Sequence, residues 1–535
     1  MNVFRGMRCD LSPHHIGTYP TQRSGSGVHP ARVRALILAF LMIGWDVAAI
    51  AQTSPSPAPA AQGCTQAGSA VDANAQPCLA TLVTTFTANK TYAFNGLELA
   101  AAQADDAAYS NLLRICSGAA GCSATQTNLF NRLRELEDNA DQLLRFGPTF
   151  YSLNLTAQGL GFALRWTADE EFAAQSSLTS RFANNQLAAV GNRLTALRFM
   201  QTVRLARQDA QTADGVLAEV PPDAGTALGG GASADSAPTA YGKWNVFANG
   251  AYGAGTKAAT TYDDAFAFGG TQVSGGADIR LSPRMVLGFL VNHIQQEADF
   301  NSSESVASGG IWSSGYGITG YMQTEFDAAY LNFSVGAQRL NINTTRVVAY
   351  PSNNVLIPAV NTTFYSSTDA TSWLITGGTG YVFHARGFSA EPYLNAQYLH
   401  THIGGFSESA SGPDLGFATT VAGQNVTSLV GIAGVKFQYA FLPSFGVIIP
   451  YAYGEFRREF RDPSQNVASQ FASTTPGENY FQLPTDNVNP DYYEVGAGFT
   501  SVLPHGAQVY LQYMKVLQLQ YYTDYVVSGG FRFEF

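Results

Sequence analysis

Few residues in this sequence have the types and spacing that chemistry needs. His400-Thr-His402 would set two imidazoles on one face of a strand, which is half of a metal site. No third ligand lies close in sequence, so the pair reads as interfacial or lumen-facing and no metal is expected. H-E-x-x-H, G-x-S-x-G and a phosphate loop are missing from the sequence, and no G-x-G-x-x-G follows a strand as a dinucleotide site needs. No catalytic residue and no cofactor is therefore expected, and the chain reads as a non-enzyme. Cysteine says more. Cys9 precedes an apolar run of export type, and Cys64, Cys78, Cys116 and Cys122 follow it. An even number in an exported chain suggests disulfides. Three pairings are open, with the two sequence-local ones favoured and free thiols as the alternative. Neither spacing suits zinc.

The elements that would position these residues divide a chain of 535 residues with 29 Lys+Arg, 39 Asp+Glu and a net charge of −10. Only 13% of the residues are charged, against about 25% in ordinary soluble proteins. Gly (53), Phe (34) and Tyr (26) fill the gap together with Ser, Thr, Asn and Gln. The acidic balance argues against a nucleic-acid partner, which needs a basic face. The longest apolar run, 35–45 (ALILAFLMIGW), is too short to span a bilayer as a helix of about 20 residues. Arg32 and Arg34 precede it and Ala49-Ile50-Ala51 follows, which is the three-part pattern of a secretory signal. The chain then reads as an N-terminal extension and signal peptide (1–51), a Pro/Ala/Ser linker (52–63), a helical region with four cysteines (64–166), a long helix (167–215), a flexible Gly/Pro joint (216–240) and a strand region (241–535). Ser123 with Gln126, and Thr167 with Glu170, have the spacing of capping boxes that would open two of the helices.

In the strand region the hydrophobic period falls from 3.6 to 2. Leu331, Phe333 and Val335 alternate with small or polar residues, as do Val435, Phe437 and Tyr439, and Tyr493, Val495 and Phe499. Val447, Ile449, Tyr451 and Tyr453 are assigned to the same apolar face. The other face carries Gly, hydroxyls and amides, which suits a crowded wet lumen, while the aromatic face suits lipid. Twelve segments begin near Lys243, Ala265, Met285, Ile311, Phe326, Ala370, Gly387, Gln424, Phe445, Asp491, Gly506 and Tyr525. An even number lets antiparallel strands close, and lipid tolerates no open edge. The expected fold is an all-β transmembrane 12-stranded antiparallel barrel at the C-terminus, preceded by a mostly α-helical N-terminal region. Tight turns at 281–284, 442–444 and 503–506 would line one rim, and long loops at 344–369, 405–423 and 462–490 the other.

Residues 279–288 (IRLSPRMVLG), 391–399 (EPYLNAQYL) and 449–456 (IPYAYGEF) resemble strand and turn motifs of the autotransporter translocator barrel, the type V secretion family of Gram-negative bacteria. Residues 173–198 resemble the helix just upstream of such barrels. The chain end, with Tyr525, Val527, Phe531, Phe533 and Phe535, is similar to the signal read by the outer-membrane barrel assembly machinery. The resemblance implies an outer-membrane location, with lipid, that machinery and periplasmic chaperones as partners. It implies a helix in the pore, whose Arg181, Arg193 and Arg198 would face lumen acids such as Glu391, Glu455 and Glu494. It also implies that the barrel translocates or anchors the N-terminal helical segment at the cell surface. Asn184-Asn185 resembles the paired asparagines cleaved inside some of these barrels. The short, repeat-free, helical passenger departs from the β-helical passengers common in the family, and its target stays open. The alternatives are a structural or pore-forming barrel whose helical region stays periplasmic, and a surface enzyme with an unrecognised site.

Overall fold

The computed structural model describes residues 64, 77–116, 121–146, 149–213, 244–300, 308–385, 387–443, 446–461, 466–474, 481–486, 489–503 and 507–534. The apolar run 35–45, the 52–63 linker, the 216–240 joint and Phe535 lie outside them. Five helices come first: α1 (Leu79–Ala88), α2 (Gly96–Cys116), α3 (Ala124–Leu144), α4 (Ala157–Thr167) and α5 (Glu171–Ala213). Ser123 caps α3 in a complete box, its hydroxyl accepting from the Gln126 N–H at 3.2 Å while Gln126 Oε1 accepts from the Ser123 N–H at 3.0 Å. The second expected box does not form. Thr167 instead ends α4, and its hydroxyl bonds the buried Asp105 carboxylate at 3.0 Å. Asp169, at φ 57°, then turns the chain into α5.

Twelve long strands follow: β1 (Trp244–Lys257), β2 (Phe266–Ser282), β3 (Met285–Phe300), β4 (Gly309–Phe326), β5 (Ala329–Tyr350), β6 (Val360–Tyr381), β7 (Phe388–Ile403), β8 (Gln424–Tyr439), β9 (Val447–Glu459), β10 (Asp491–Val502), β11 (Gln508–Leu517) and β12 (Tyr522–Glu534). Each pairs antiparallel with its sequence neighbour. β1 pairs with β12 from Asn245↔Glu534 to Lys257↔Tyr522, which closes the barrel.

The outward face carries the apolar band. Trp244, Phe289, Phe333, Trp373, Phe437, Tyr493, Tyr513 and Phe531 are all exposed. Packing these inward against another sheet is not open to them, because the inward face already holds Asn, Gln, Ser and charged residues. β9 reverses the expected assignment. Val447, Ile449 and Tyr451 are buried inside, and the Tyr451 and Tyr453 hydroxyls reach Gln512 and Glu494, both at 2.9 Å. The large residues of β9 therefore fill lumen rather than meet lipid.

The 344–369 stretch, expected as a loop, is mostly strand: β5 runs to Tyr350 and β6 starts at Val360. Thr345, Asn361 and Thr363 alternate with Arg346, Val348, Tyr350, Val360 and Phe364, which are buried. One face of this hairpin extension meets water, as in a soluble sheet, and the other packs on the helices. The stretches 405–423 and 462–490 contribute Phe406–Ser407, Thr419–Val421, Asn466–Phe471 and Phe481–Pro484 to a small four-stranded sheet. Leu79, Leu97, Leu112, Leu133 and Leu160 share one core with Val348, Phe364, Phe417, Phe471 and Leu483. The helical region is thus no free solvated bundle. It caps the long-loop rim.

Glycines directly opposite lumen tyrosines give the inner wall its room. Tyr321 faces Gly288, Tyr330 faces Gly380, Tyr393 faces Gly434 and Tyr453 faces Gly496. A Cβ at any of these glycines would overlap the tyrosine ring. Gly496→Val or Gly380→Val should therefore cost about 1–3 kcal/mol through overpacking. The readout is the temperature at which the compact barrel band is lost on a semi-native gel. Gly250→Ala, which adds a Cβ into open space, should leave that temperature unchanged.

Candidate functional site: a pore occupied by a helix

α5 enters the barrel at the long-loop rim and runs toward the tight-turn rim. Gln175 bonds Thr344 at 2.8 Å near the first rim, and Arg198 meets Glu391 and Gln323 near the second. Ala173, Ala174, Ala188, Ala189 and Gly191 keep the helix narrow. Its apolar residues lie toward the first half of the barrel. Leu178 packs with Phe266, Ile294 and Leu340, and Leu187 packs with Leu374 and Leu399. Further down, Val190, Leu194 and Leu197 pack with Phe247, Val286 and Leu290.

Three arginines anchor the helix, each to one acid and one ring. Arg181 pairs with Asp524, its guanidinium 3.9 Å from the Phe268 ring centre. Arg193 Nε donates to Asp278 Oδ2 at 2.7 Å, and the guanidinium lies 4.8 Å from the Phe247 ring centre. Asp278 also accepts from Tyr321 Oη and Asn245 Nδ2, each at 2.8 Å. Arg198 Nε meets Glu391 at 2.9 Å, with the Tyr330 ring centre 4.3 Å away. Tyr330 Oη (2.7 Å) and Lys436 Nζ (2.8 Å) complete the Glu391 shell. At ~1.5 Å per residue, Arg181 to Arg198 spans about 25 Å, the height of a barrel's apolar band.

Of the three expected lumen acids, only Glu391 meets a helix arginine among the described residues. Glu455 and Glu494 face the lumen but bind Arg457, at 2.7 and 2.8 Å. Asp278 and Asp524 were missed in the sequence. Both lie at inward parity, with Gln272 and Ser274 on β2 and with Val526 and Ser528 on β12, so strand parity was the signal that could have found them. On the side of Arg457, Glu494 and Met514 the helix leaves a cavity of about 440 Å³. The side chains of Asn184 and Asn185 lie outside the described residues. His400 and His402 sit on the outer face of β7, bonded to Thr427 (3.0 Å) and Asn425 (2.7 Å) of β8. Tyr525, Val527, Phe531 and Phe533 all point outward from β12.

Above the pore, buried ion pairs hold the cap to the rim. Arg346 joins Asp169 (2.8 Å) to Glu408 (2.6 Å), Arg132 meets Asp414 (2.7 Å), and Arg165 meets Asp264. Within the cap the cysteines form the two sequence-local disulfides, Cys64–Cys78 (Cα–Cα 5.0 Å) and Cys116–Cys122 (4.7 Å). Asp106 and Glu137 cap α1, accepting from the backbone N–H groups of Leu79 (2.9 Å) and Cys78 (2.7 Å). Burial pushes Asp106 and Asp138 up to about 6. Burial, with the neighbouring charges of Asp138 and Asp106, pushes Asp141 up to about 7.

Removing Arg193 leaves the buried Asp278 carboxylate without its cation, a loss of about 3–5 kcal/mol, while removing Arg198 leaves Glu391 with Lys436 as its cation. Arg193→Ala with Arg198→Ala should loosen the helix while the barrel stays folded, and planar-bilayer recordings should show a larger conductance than the wild type. A second expectation concerns pH. The cap carboxylates titrate higher when folded than the ~4 of an unfolded carboxylate. Their stabilising contribution is full below that value and is lost as pH rises through about 6–7. The helical circular-dichroism melt of the cap should therefore fall in temperature from about pH 5 to about pH 8, and Asp141→Asn should flatten the slope.

The autotransporter beta-domain family matches residues 246–514, from β1 into β11 and half of the chain. Among solved structures the chain is similar to the translocator domain of the autotransporter NalP from Neisseria meningitidis, at 14% identity over 54% of this chain and 88% of that one, with a TM-score of 0.42. It is also similar to the beta domain of the Bordetella autotransporter BrkA, at 15% identity over 54% and 98%, with a TM-score of 0.36. The transport unit of AIDA-I from Escherichia coli follows at 12% identity over 54% and 89%, with a TM-score of 0.33. A search of curated proteins finds no match to this chain. The chain belongs to the autotransporter family, and its closed twelve-stranded barrel is a passenger-translocating domain of the Gram-negative outer membrane.

Proposed function

We propose that residues 77–167 are the passenger, that they reach the cell surface through this barrel, and that they stay there as a fixed cap. The observation that carries this is the direction of α5. Its N-terminal end joins the cap at the long-loop rim, and its other end lies toward the tight-turn rim where β1 begins. In outer-membrane barrels the long loops face outside. The rim ion pairs and the shared core favour retention over release.

The outward row Tyr525, Val527, Phe531 and Phe533 would serve the assembly machinery as the recognition strand, after delivery by periplasmic chaperones. The cap is read as non-catalytic. Its buried acids Asp105, Asp106 and Asp138 bond Thr167, the α1 amides and the Tyr151 N–H, which are contacts that hold the helices together.

A membrane-impermeant maleimide tests the topology on intact cells. Lys90→Cys on the cap should label, and Asp327→Cys on the tight-turn rim should label only after permeabilisation. The reverse pattern would place the cap in the periplasm and leave a structural or pore-forming barrel.

A further inference from the structure

The β5–β6 hairpin carries the cap well clear of the lipid. On its outer face Phe333, Val335, Trp373 and Ile375 give way to Asn341 and to an open ion pair of Arg339 with Asp369 at 2.8 Å. Beyond that boundary β5 continues to Tyr350, about 30 Å of strand at ~3.3 Å per residue. The hairpin tip is tied to the loop before α4. Asn353 N–H donates to Leu153 O at 2.8 Å, and Asn354 Nδ2 donates to Ser152 O at 2.9 Å. Ile357 is buried in the cap core and holds the tip in place. From this joined point stand Phe150 (87% exposed), Val355 (98%) and Leu356 (86%), with Tyr151 (41%) beside them. Single exposed apolar residues are ordinary. Four from two loops bound together at the end of the β5–β6 hairpin make a knob.

The charge on the cap surface runs against the composition of the chain. Every carboxylate among the described residues from 77 to 170 is buried. Lys90 and Arg145 are exposed, and the Arg134 guanidinium lies 3.6 Å from the Tyr151 ring centre. An acidic chain thus shows a cationic cap surface with an apolar tip.

We infer that this tip docks onto an anionic phospholipid bilayer other than the membrane that holds the barrel. The inference rests on the cap lying outside the cell, as proposed above. The knob is convex, so a protein partner would need a matching pocket, whereas a bilayer interface yields to a convex apolar tip. Aromatic and aliphatic side chains beside a cation are the pairing that interfacial binding needs, because neither signal holds a membrane well alone. A second copy would bring Arg134 and Arg145 against their own kind. The tip stands too far above the apolar band to reach its own bilayer.

The test uses the purified full chain in phosphatidylcholine nanodiscs, mixed with vesicles of phosphatidylcholine alone or with phosphatidylserine, and read by flotation. Binding should appear with the anionic vesicles only and weaken with salt. Phe150→Ser, Val355→Ser and Leu356→Ser together should lower it at least about tenfold, and Arg145→Glu by roughly fivefold or more. No binding to anionic vesicles, equal binding to neutral ones, variants that bind like the wild type, or discs that associate with each other instead would each overturn the inference. If the triple variant loses its helical circular dichroism, Val355→Ser alone, at a side chain almost fully in solvent, carries the comparison. The assay reads the tip whichever side of the membrane the cap occupies in cells, so its failure and that of the surface topology are separate results.

Discussion

Hydrocarbon offers a backbone N–H or C=O no partner, and this constraint governs the C-terminal half of the chain. The pairing of β1 with β12 answers it by removing the last open edge. Closure then sorts the side chains, because a strand in a closed wall has one face to lipid and one to the lumen. Phe531 and Phe533 point out from the same strand on which Ser528 and Arg532 point in. It also sets the order of events, since the sheet cannot close until its final residues are present.

A closed barrel of this size creates a second demand, an interior that its own side chains do not fill. α5 meets most of it, with alanines where the walls approach and arginines where acids wait. Buried ion pairs add little net stability, because desolvation offsets their attraction. What Arg181, Arg193 and Arg198 supply is position. A shift of one turn, ~5.4 Å, would carry all three away from Asp524, Asp278 and Glu391. The depth of α5 is therefore fixed, and with it the place of the cap, which joins α5 through only the short turn at Ala168–Glu170.

Much of this was legible in the sequence because period-2 alternation is a local signal. Eleven of the twelve strand starts fall within three residues of their expected positions. The sixth fell ten residues late, because Thr, Ser and Asn near 360–369 read as a loop when no lipid contact demanded apolar residues there. β9 was read inside out because large residues serve lipid and lumen alike, and only the glycines across the strand tell which. Local disulfides and the α3 cap were visible for the same reason of short range. The docking of the cap was not visible, since Arg346 with Asp169 and Arg132 with Asp414 join residues far apart in sequence.

The shared core gives the cap an asymmetry between the two sides of the membrane. Leu133 and Leu136 of α3 and Leu160 of α4 are buried together with Val348, Phe364, Phe417 and Phe471, which come from the barrel rim. Without the rim those faces would lie open, and area removed from water is worth ~25 cal/mol per Å². A small helical region that takes part of its core from the barrel is therefore less stable before it reaches the long-loop end than after. The ion pairs at that rim act in the same sense, because Arg132 with Asp414 and Asp169 with Arg346 meet across the junction of cap and rim. A chain that must thread a narrow pore is helped by a passenger that completes its packing on the far side, and burial of that shared core opposes its return.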